Sequence, residues 1–260
     1  MKTQTIVTKR GARVRVFEAG QGHPLVFMHG AGGLFAENPF LDLLAQRYRV
    51  VAPELPGYGE STGEALLEDM LDFTLHGWDV VDALGLQRPH LVGHSMGGMI
   101  AAEMACVAPH DLGKLVLAGA AGLWIDEHPI PDIFALPPFE FADLLFHDRA
   151  AGEALLTGGF DLSNADALKD FYIASQKRLS MAGRIMFPIP NRRLSKRLYR
   201  VTAPTLLVWG KSDRLIPPVY ADRFQALIPH AELALIDAAG HMVPYEQPEA
   251  FVSAVSQFLQ

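Results

Sequence analysis

The sequence predicts an α/β protein, a mainly parallel sheet flanked by helices on both faces. Three observations carry that prediction. Short, dense apolar runs recur along the chain and end in glycine-rich loops. Helical periodicity fills the intervals between them. Only the first two runs alternate apolar with polar residues, the mark of an antiparallel, half-buried pair.

Taken in order, "TIVTK" and "ARVRVFEAG" read as an antiparallel edge hairpin. "PLVFMHG", "YRVVAPELPG", "PHLVGHS", "KLVLAGAAG", "PTLLVWG" and "AELALIDAAGH" read as buried parallel strands. "LLEDMLDFTLHGWDVVDALGL" and "YADRFQALIP" carry helical patterns, and "PEAFVSAVSQFLQ" opens with proline in the first turn of an amphipathic helix. Between about Gly122 and Arg200 the rhythm breaks into short helical stretches without a strong strand signal. A segment of that length needs structure of its own, so residues 122–200 are expected to form a helical lid over the loop end of the sheet. Residues 1–121 and 201–260 then form the core.

Bulk properties bound the function. The chain has 260 residues, enough for a sizeable core. Its 22 basic and 29 acidic side chains leave a net charge of −7, which argues against a nucleic-acid partner. A single cysteine, Cys106, excludes an internal disulfide. No window approaches the ~20 apolar residues of a membrane span. The N-terminal stretch lacks an apolar signal core, so a cytoplasmic location is expected.

The chemistry gathers around "HLVGHSMGGMIAAEMA". Ser95 stands between Gly93 and Gly97 where a strand turns into a helix. "GHSMG" fits the G-x-S-x-G pattern, in which small flanking residues let a strained corner hold a serine outward. A plain turn would also use small residues; the strand before and the helix after favour a nucleophile. A serine hydroxyl needs a neutral imidazole beside it and an acid to orient that imidazole. His241, on the glycine-rich loop of "LIDAAGHMVPYEQPEAF", is the candidate base. Asp213, in "GKSDRLIPP" after a strand, is the candidate acid and is preferred to Asp237, which lies at a strand end. An oxyanion needs fixed N–H donors. "HGAGG" and the start of the elbow helix supply the Ala31 and Met96 amides, with Gly32 the alternative to Ala31. His29 is expected to support its loop, and His94 to be structural.

Together "HGAGG", "PELPGYGES", "GHSMGG", "PTLLVWGKSD" and "GHMVPYEQPEAF" resemble the α/β-hydrolase fold superfamily in its serine-nucleophile branch. The resemblance spans nearly the whole chain. It implies a mainly parallel eight-stranded sheet, a helical lid inserted after the sixth strand, and the order Ser95, Asp213, His241. It implies a hydrolase without a cofactor or metal, acting on a small-molecule, ester-like substrate through an acyl-enzyme, most simply a carboxylesterase. The carbon–carbon bond hydrolases of aromatic degradation share the plan. They usually carry asparagine where this chain has His94, and tryptophan where it has Met242. Lactonase, thioesterase, perhydrolase and ligand-receptor activities use the same frame, and a homodimeric state is left open. Glu54 stands where relatives commonly have aspartate and is read as loop structure. The apolar lid stretch "IPDIFALPPFEFADLLF" offers Phe134, Leu136 and Phe139 as pocket walls, joined by Gly32 and Met242. The basic run "NRRLSKRLYR" reads as a solvated helix face, with one arginine on a substrate anion as the alternative.

Overall fold

Strands β1 (Lys2–Val7), β2 (Arg13–Ala19), β3 (Pro24–Met28), β4 (Arg49–Pro53), β5 (His90–His94), β6 (Leu115–Ala118), β7 (Thr205–Gly210) and β8 (Glu232–Ile236) join into one sheet in a computed structural model that describes residues 1–158, 163–189 and 191–260. The strand order is β1-β2-β4-β3-β5-β6-β7-β8. β1 pairs antiparallel with β2 and β2 antiparallel with β4, whereas every later pairing is parallel. The helices are α1 (Pro39–Leu44), α2 (Met70–Ala83), α3 (Met96–Val107), α4 (Phe141–Leu145), α5 (Arg149–Thr157), α6 (Ala165–Met186), α7 (Val219–Leu227), α8 (Val243–Glu246) and α9 (Pro248–Leu259).

The dense strands are apolar at every position because both faces are covered. Leu25 and Phe27 of β3, with Leu206 and Val208 of β7, pack with Phe40 and Leu44 of α1 and Phe251 and Val255 of α9. Their neighbours Val26, Met28, Leu207 and Trp209 point the other way, into the core shared with α2, α3 and α7. The period-2 geometry of a strand thus divides one apolar run between two cores. β8 corrects an expectation. Its dense apolar run predicts a buried strand, but it closes the sheet as an edge strand and leaves Leu235 exposed.

Among the described residues, α4, α5 and α6 lie between β6 and β7. Met181, Ala182 and Ile185 of α6 are buried in the main core. Two polar ties add to that packing. The Tyr58 hydroxyl donates to the Arg178 carbonyl at 3.1 Å, and Arg184 Nη1 donates to the Leu67 carbonyl at 2.7 Å. The basic run is also corrected. It forms short 3-10 turns, not a solvated helix face, with Leu194 and Leu198 fully buried. Arg197 forks onto the buried Glu103 of α3, its Nε at 2.7 Å from Oε2 and its Nη2 on Oε1. Arg200 Nε donates to the Cys106 carbonyl at 2.6 Å. Cys106 is buried, and desolvation pushes its thiol up to about 12. No helix among the described residues is long and apolar enough to cross a membrane.

Candidate active site

The site is assembled at the C-terminal ends of parallel strands, where open α/β sheets leave a crevice. Ser95 stands between β5 and α3, the N-cap of the helix, with φ 55° and ψ −118°. That left-handed φ is strained for a residue with a Cβ. Close approach on both sides explains the flanking glycines. A Cβ on Gly93 would sit 2.4 Å from the Gly97 carbonyl oxygen, and one on Gly97 would sit 2.0 Å from the Met28 carbonyl oxygen. The Ser95 amide donates to the Ala118 carbonyl at 2.9 Å, and its carbonyl accepts from Met99 and Ala121 at 3.1 Å each. A serine at a helix N-cap normally turns its hydroxyl onto the first-turn amides. Ser95 makes no such bond; its hydroxyl is engaged elsewhere.

That partner is His241, whose Nε2 lies 2.8 Å from Ser95 Oγ. His241 Nδ1 lies 2.9 Å from Asp213 Oδ2. Asp213 is aimed by its own backbone, since Oδ1 accepts from Leu215 N at 3.0 Å and from Ile216 N at 2.8 Å. An acceptor-only carboxylate at Nδ1 keeps the ring proton on Nδ1 and leaves Nε2 with a lone pair facing the serine. All three side chains are buried. Asp237 takes no part: it is exposed and pairs with Lys211 Nζ at 2.7 Å.

Ala31 follows β3 and Met96 follows β5, and these strands pair side by side with Met28 opposite Gly93. Neither amide donates a hydrogen bond to a group among the described residues. The loop carrying Ala31 is shaped by a tight turn from Gly33 N to the Gly30 carbonyl at 3.0 Å. His29 braces it. Its Nε2 accepts from Leu55 N at 3.1 Å, so Nδ1 carries the proton and donates to the Gly30 carbonyl at 2.8 Å. Burial lowers its pKa to about 4, which keeps that neutral tautomer. His94 does not meet the Ser95 hydroxyl. Its Nε2 donates to the His241 carbonyl at 2.9 Å, and burial holds its pKa down to about 3.

A second brace carries no sequence motif. Glu246 accepts from Gly240 N at 2.7 Å and from His147 N at 2.6 Å, clamping the loop that bears His241. Glu54 keeps the structural role expected of it, accepting from Glu60 N at 3.3 Å.

A cavity of about 130 Å³ opens over Ser95 and His241. Gly32 and Met242 line it as expected, with Ala31. The other expected walls are corrected. Phe134 packs edge-on against Phe187 at 5.7 Å, Leu136 faces a separate surface depression, and Phe139 is exposed. The stretch before Phe141 is not one regular helix, so its apolar residues share no face. The walls come instead from Ile133, from Phe141 and Leu145 one turn apart on α4, and from Phe171, Ser175, Arg178 and Leu179 on α6. That α6 spacing puts one stripe of the helix over the cavity. Among the described residues lining it, Arg178 is the one arginine or lysine, and burial lowers its pKa. No group of three or more His, Cys, Asp or Glu that could hold a metal gathers among the described residues.

Residues 25–254 match the model of the alpha/beta hydrolase family. The chain belongs to that family. A 2-hydroxy-6-oxo-6-phenylhexa-2,4-dienoate hydrolase of Burkholderia cepacia is 30% identical to it over 95% of this chain and 91% of the relative. A 2-hydroxy-6-oxononadienedioate/2-hydroxy-6-oxononatrienedioate hydrolase of Comamonas testosteroni is 29% identical over 95% of this chain and 91% of its own. The solved meta-cleavage product hydrolase of Pseudomonas fluorescens superposes with a TM-score of 0.79 at 24% identity, covering 98% of this chain and 96% of that one. This alpha/beta hydrolase therefore has the eight-stranded, mostly parallel sheet of its fold family, and a hydrolytic enzyme is the activity the family supports.

Proposed function

We propose that the protein is a serine hydrolase that cleaves a carbon–carbon bond in an acidic, conjugated 1,5-dicarbonyl substrate. The full-length likeness to relatives named for dienoate hydrolysis carries this reading. It replaces the simple ester as the leading substrate. Those names describe a carboxylate at one end and an oxo group beyond a diene. Arg178, a partly desolvated cation in an otherwise mainly apolar cavity, suits the carboxylate.

In the proposed cycle Ser95 attacks the oxo carbon while His241 takes its proton. The Ala31 and Met96 amides hold the oxyanion. The substrate reacts as its 2-oxo tautomer, the enol proton having moved to the carbon beside the oxo group, so the C–C bond breaks toward a dienolate that spreads the electron pair and takes the proton from His241. Water activated by His241 then frees the acyl group from Ser95. Asp213 stays ionised and holds the imidazole in its tautomer.

A carboxylester substrate is the second reading, favoured by Met242, which stands at the cavity wall where the carbon–carbon hydrolases usually carry tryptophan. The test follows loss of the dienoate chromophore and release of p-nitrophenol from short-chain esters, with wild type and Ser95→Ala in parallel. The carbon–carbon reading expects dienoate turnover well above ester turnover, reduced by roughly 10⁴-fold or more in Ser95→Ala. Ester turnover without dienoate turnover overturns it in favour of the second reading. Activity retained by Ser95→Ala overturns both.

A further inference from the structure

One guanidinium edge lies buried without an acceptor among the described residues. Arg192 Nε and Nη2 are buried and meet no hydrogen-bond acceptor. Its neighbours in the basic run are engaged, Arg197 by Glu103 and Arg200 by the Cys106 carbonyl. The pairing of the orphaned atoms matters. Nε and Nη2 form one edge of the guanidinium, and their N–H bonds point the same way, toward the two oxygens of a carboxylate. Arg197 uses the same pair of atoms on Glu103. The same edge of Arg192 meets no acceptor among the described residues, and a charged donor left buried and unpaired is costly. Burial lowers its pKa, and no acidic neighbour acts against that effect.

Arg192 lines a narrow cavity of about 30 Å³. That is room for about two water-sized groups. Its other walls are apolar, among them Met99, Ile130, Met186 and Ile216. Ile133 and Leu215 line both this cavity and the one over Ser95. Met99 and Ala121, whose amides bond to the Ser95 carbonyl, are also in its wall. Arg178 lines the cavity over Ser95, its Cδ 3.6 Å from where a Cβ on Gly33 would lie, beside the Ala31 loop. Each of the two cavities that share the Ile133 and Leu215 walls thus carries one arginine.

We propose that the Arg192 cavity is a second acid subsite, which takes a carboxylate at the end of the substrate remote from Arg178. The substrate then carries an acidic group on each side of the scissile bond. This deepens the hydrolase reading above and rests on it for the placement of the scissile bond at Ser95.

The test is binding, not turnover. The intact wild-type protein, Arg192→Met and Arg192→Lys are titrated calorimetrically with straight-chain diacids from glutarate to azelate and with the monoacids of matching length. For at least one chain length, wild type binds the diacid about 10- to 100-fold more tightly than its monoacid, the effect of one charge-assisted fork. Arg192→Met removes that preference and keeps monoacid binding within about threefold. Arg192→Lys, a point charge without the fork, falls between. No diacid preference in wild type at any length overturns the proposal, and so does a preference that survives in Arg192→Met. The hydrolase reading fails separately, on dienoate and ester turnover. A preference seen without dienoate cleavage keeps the subsite, and cleavage without a preference removes the subsite alone.

Discussion

Asp213→Asn is an isosteric change whose consequence follows from three hydrogen bonds. The carboxylate uses Oδ1 for the Leu215 and Ile216 amides and Oδ2 for His241 Nδ1. A carboxamide has one acceptor end and one donor end, so it satisfies only one side. If its oxygen faces the two amides, its NH2 faces His241 Nδ1. The imidazole must then carry its proton on Nε2, toward Ser95 Oγ 2.8 Å away, and it has no lone pair left for the serine. If the amide flips, two buried N–H groups face an NH2, at about 1–3 kcal/mol each. The first orientation is therefore favoured by about 2–6 kcal/mol. The productive tautomer falls to a small minority, and the imidazolium loses its counter-charge. The chain should fold normally and lose roughly 10⁴-fold in serine reactivity. The rate of covalent labelling of Ser95 by a fluorophosphonate, read by mass spectrometry beside a thermal melt, measures this without a known substrate. A folded Asp213→Asn variant labelled within tenfold of wild type would refute the geometric argument.

Three further outcomes follow from the same coordinates. Gly97→Ala places a Cβ 2.0 Å from the Met28 carbonyl oxygen, a backbone atom that cannot swing away; a loss of about 3 kcal/mol is expected, and a Tm drop of about 6–12 °C checks it. Arg197→Ala leaves the Glu103 carboxylate buried without its fork; chemical denaturation should register about 3 kcal/mol, and a change below about 1 kcal/mol contradicts the reading. His29 and His94 are held at about 4 and about 3 by burial. Their folded pKa values lie below the unfolded imidazole's, so each favours the unfolded chain as pH falls below about 6.5. At pH 5 each should cost about 2 kcal/mol, and urea midpoints that do not fall between pH 7 and pH 5 would show the two rings to be solvated.

The strands were legible in the sequence because a buried parallel sheet leaves an unbroken apolar signal, and each dense run became a strand. β8 was read as buried because an edge strand differs from a central one in its neighbours more than in its own residues; Leu233, Ala234 and Ile236 are only half covered. α1 escaped notice because "PFLDLL" is six residues long, too short for a period to declare itself. The serine, acid and base were legible because each is marked by a local turn signal after a strand. The cavity walls were not, because they depend on how α4 and α6 lie over the sheet. Phe141 and Leu145 were in the quoted apolar stretch, but the helix starts after Phe134 and Phe139, so composition without phase selected the wrong members. Arg178 carried a readable signal, a four-three-one spacing with Phe171, Ser175 and Leu179, and it was overshadowed by the denser basic run at 192–200. Glu246 has no local signature, since its task is defined by the His147 and Gly240 amides it receives.

The two departures from the carbon–carbon hydrolases do not weigh equally once their contacts are known. His94 touches the cavity over Ser95, but its ring is committed to the scaffold. It gives one hydrogen bond to the His241 carbonyl, lies 5.2 Å ring to ring from His241, and has its Nδ1 3.1 Å from where a Cβ on Gly30 would sit. Its work is to hold the His241 loop and the Gly30 turn at a fixed spacing, as a neutral donor. An asparagine side chain also offers a neutral N–H donor at that position. The identity of this residue thus constrains the scaffold and says little about which bond is cut. Met242 lines the same cavity beside Ser95, but its side chain has no hydrogen-bond donor to commit to the scaffold. A thioether there is flexible and apolar, where tryptophan would be rigid, larger and a hydrogen-bond donor. Exchanging Met242 for Trp should therefore shift the ratio of dienoate to ester turnover, while exchanging His94 for Asn should lower both rates together. A His94→Asn variant that changes the ratio and a Met242→Trp variant that does not would invert this assignment.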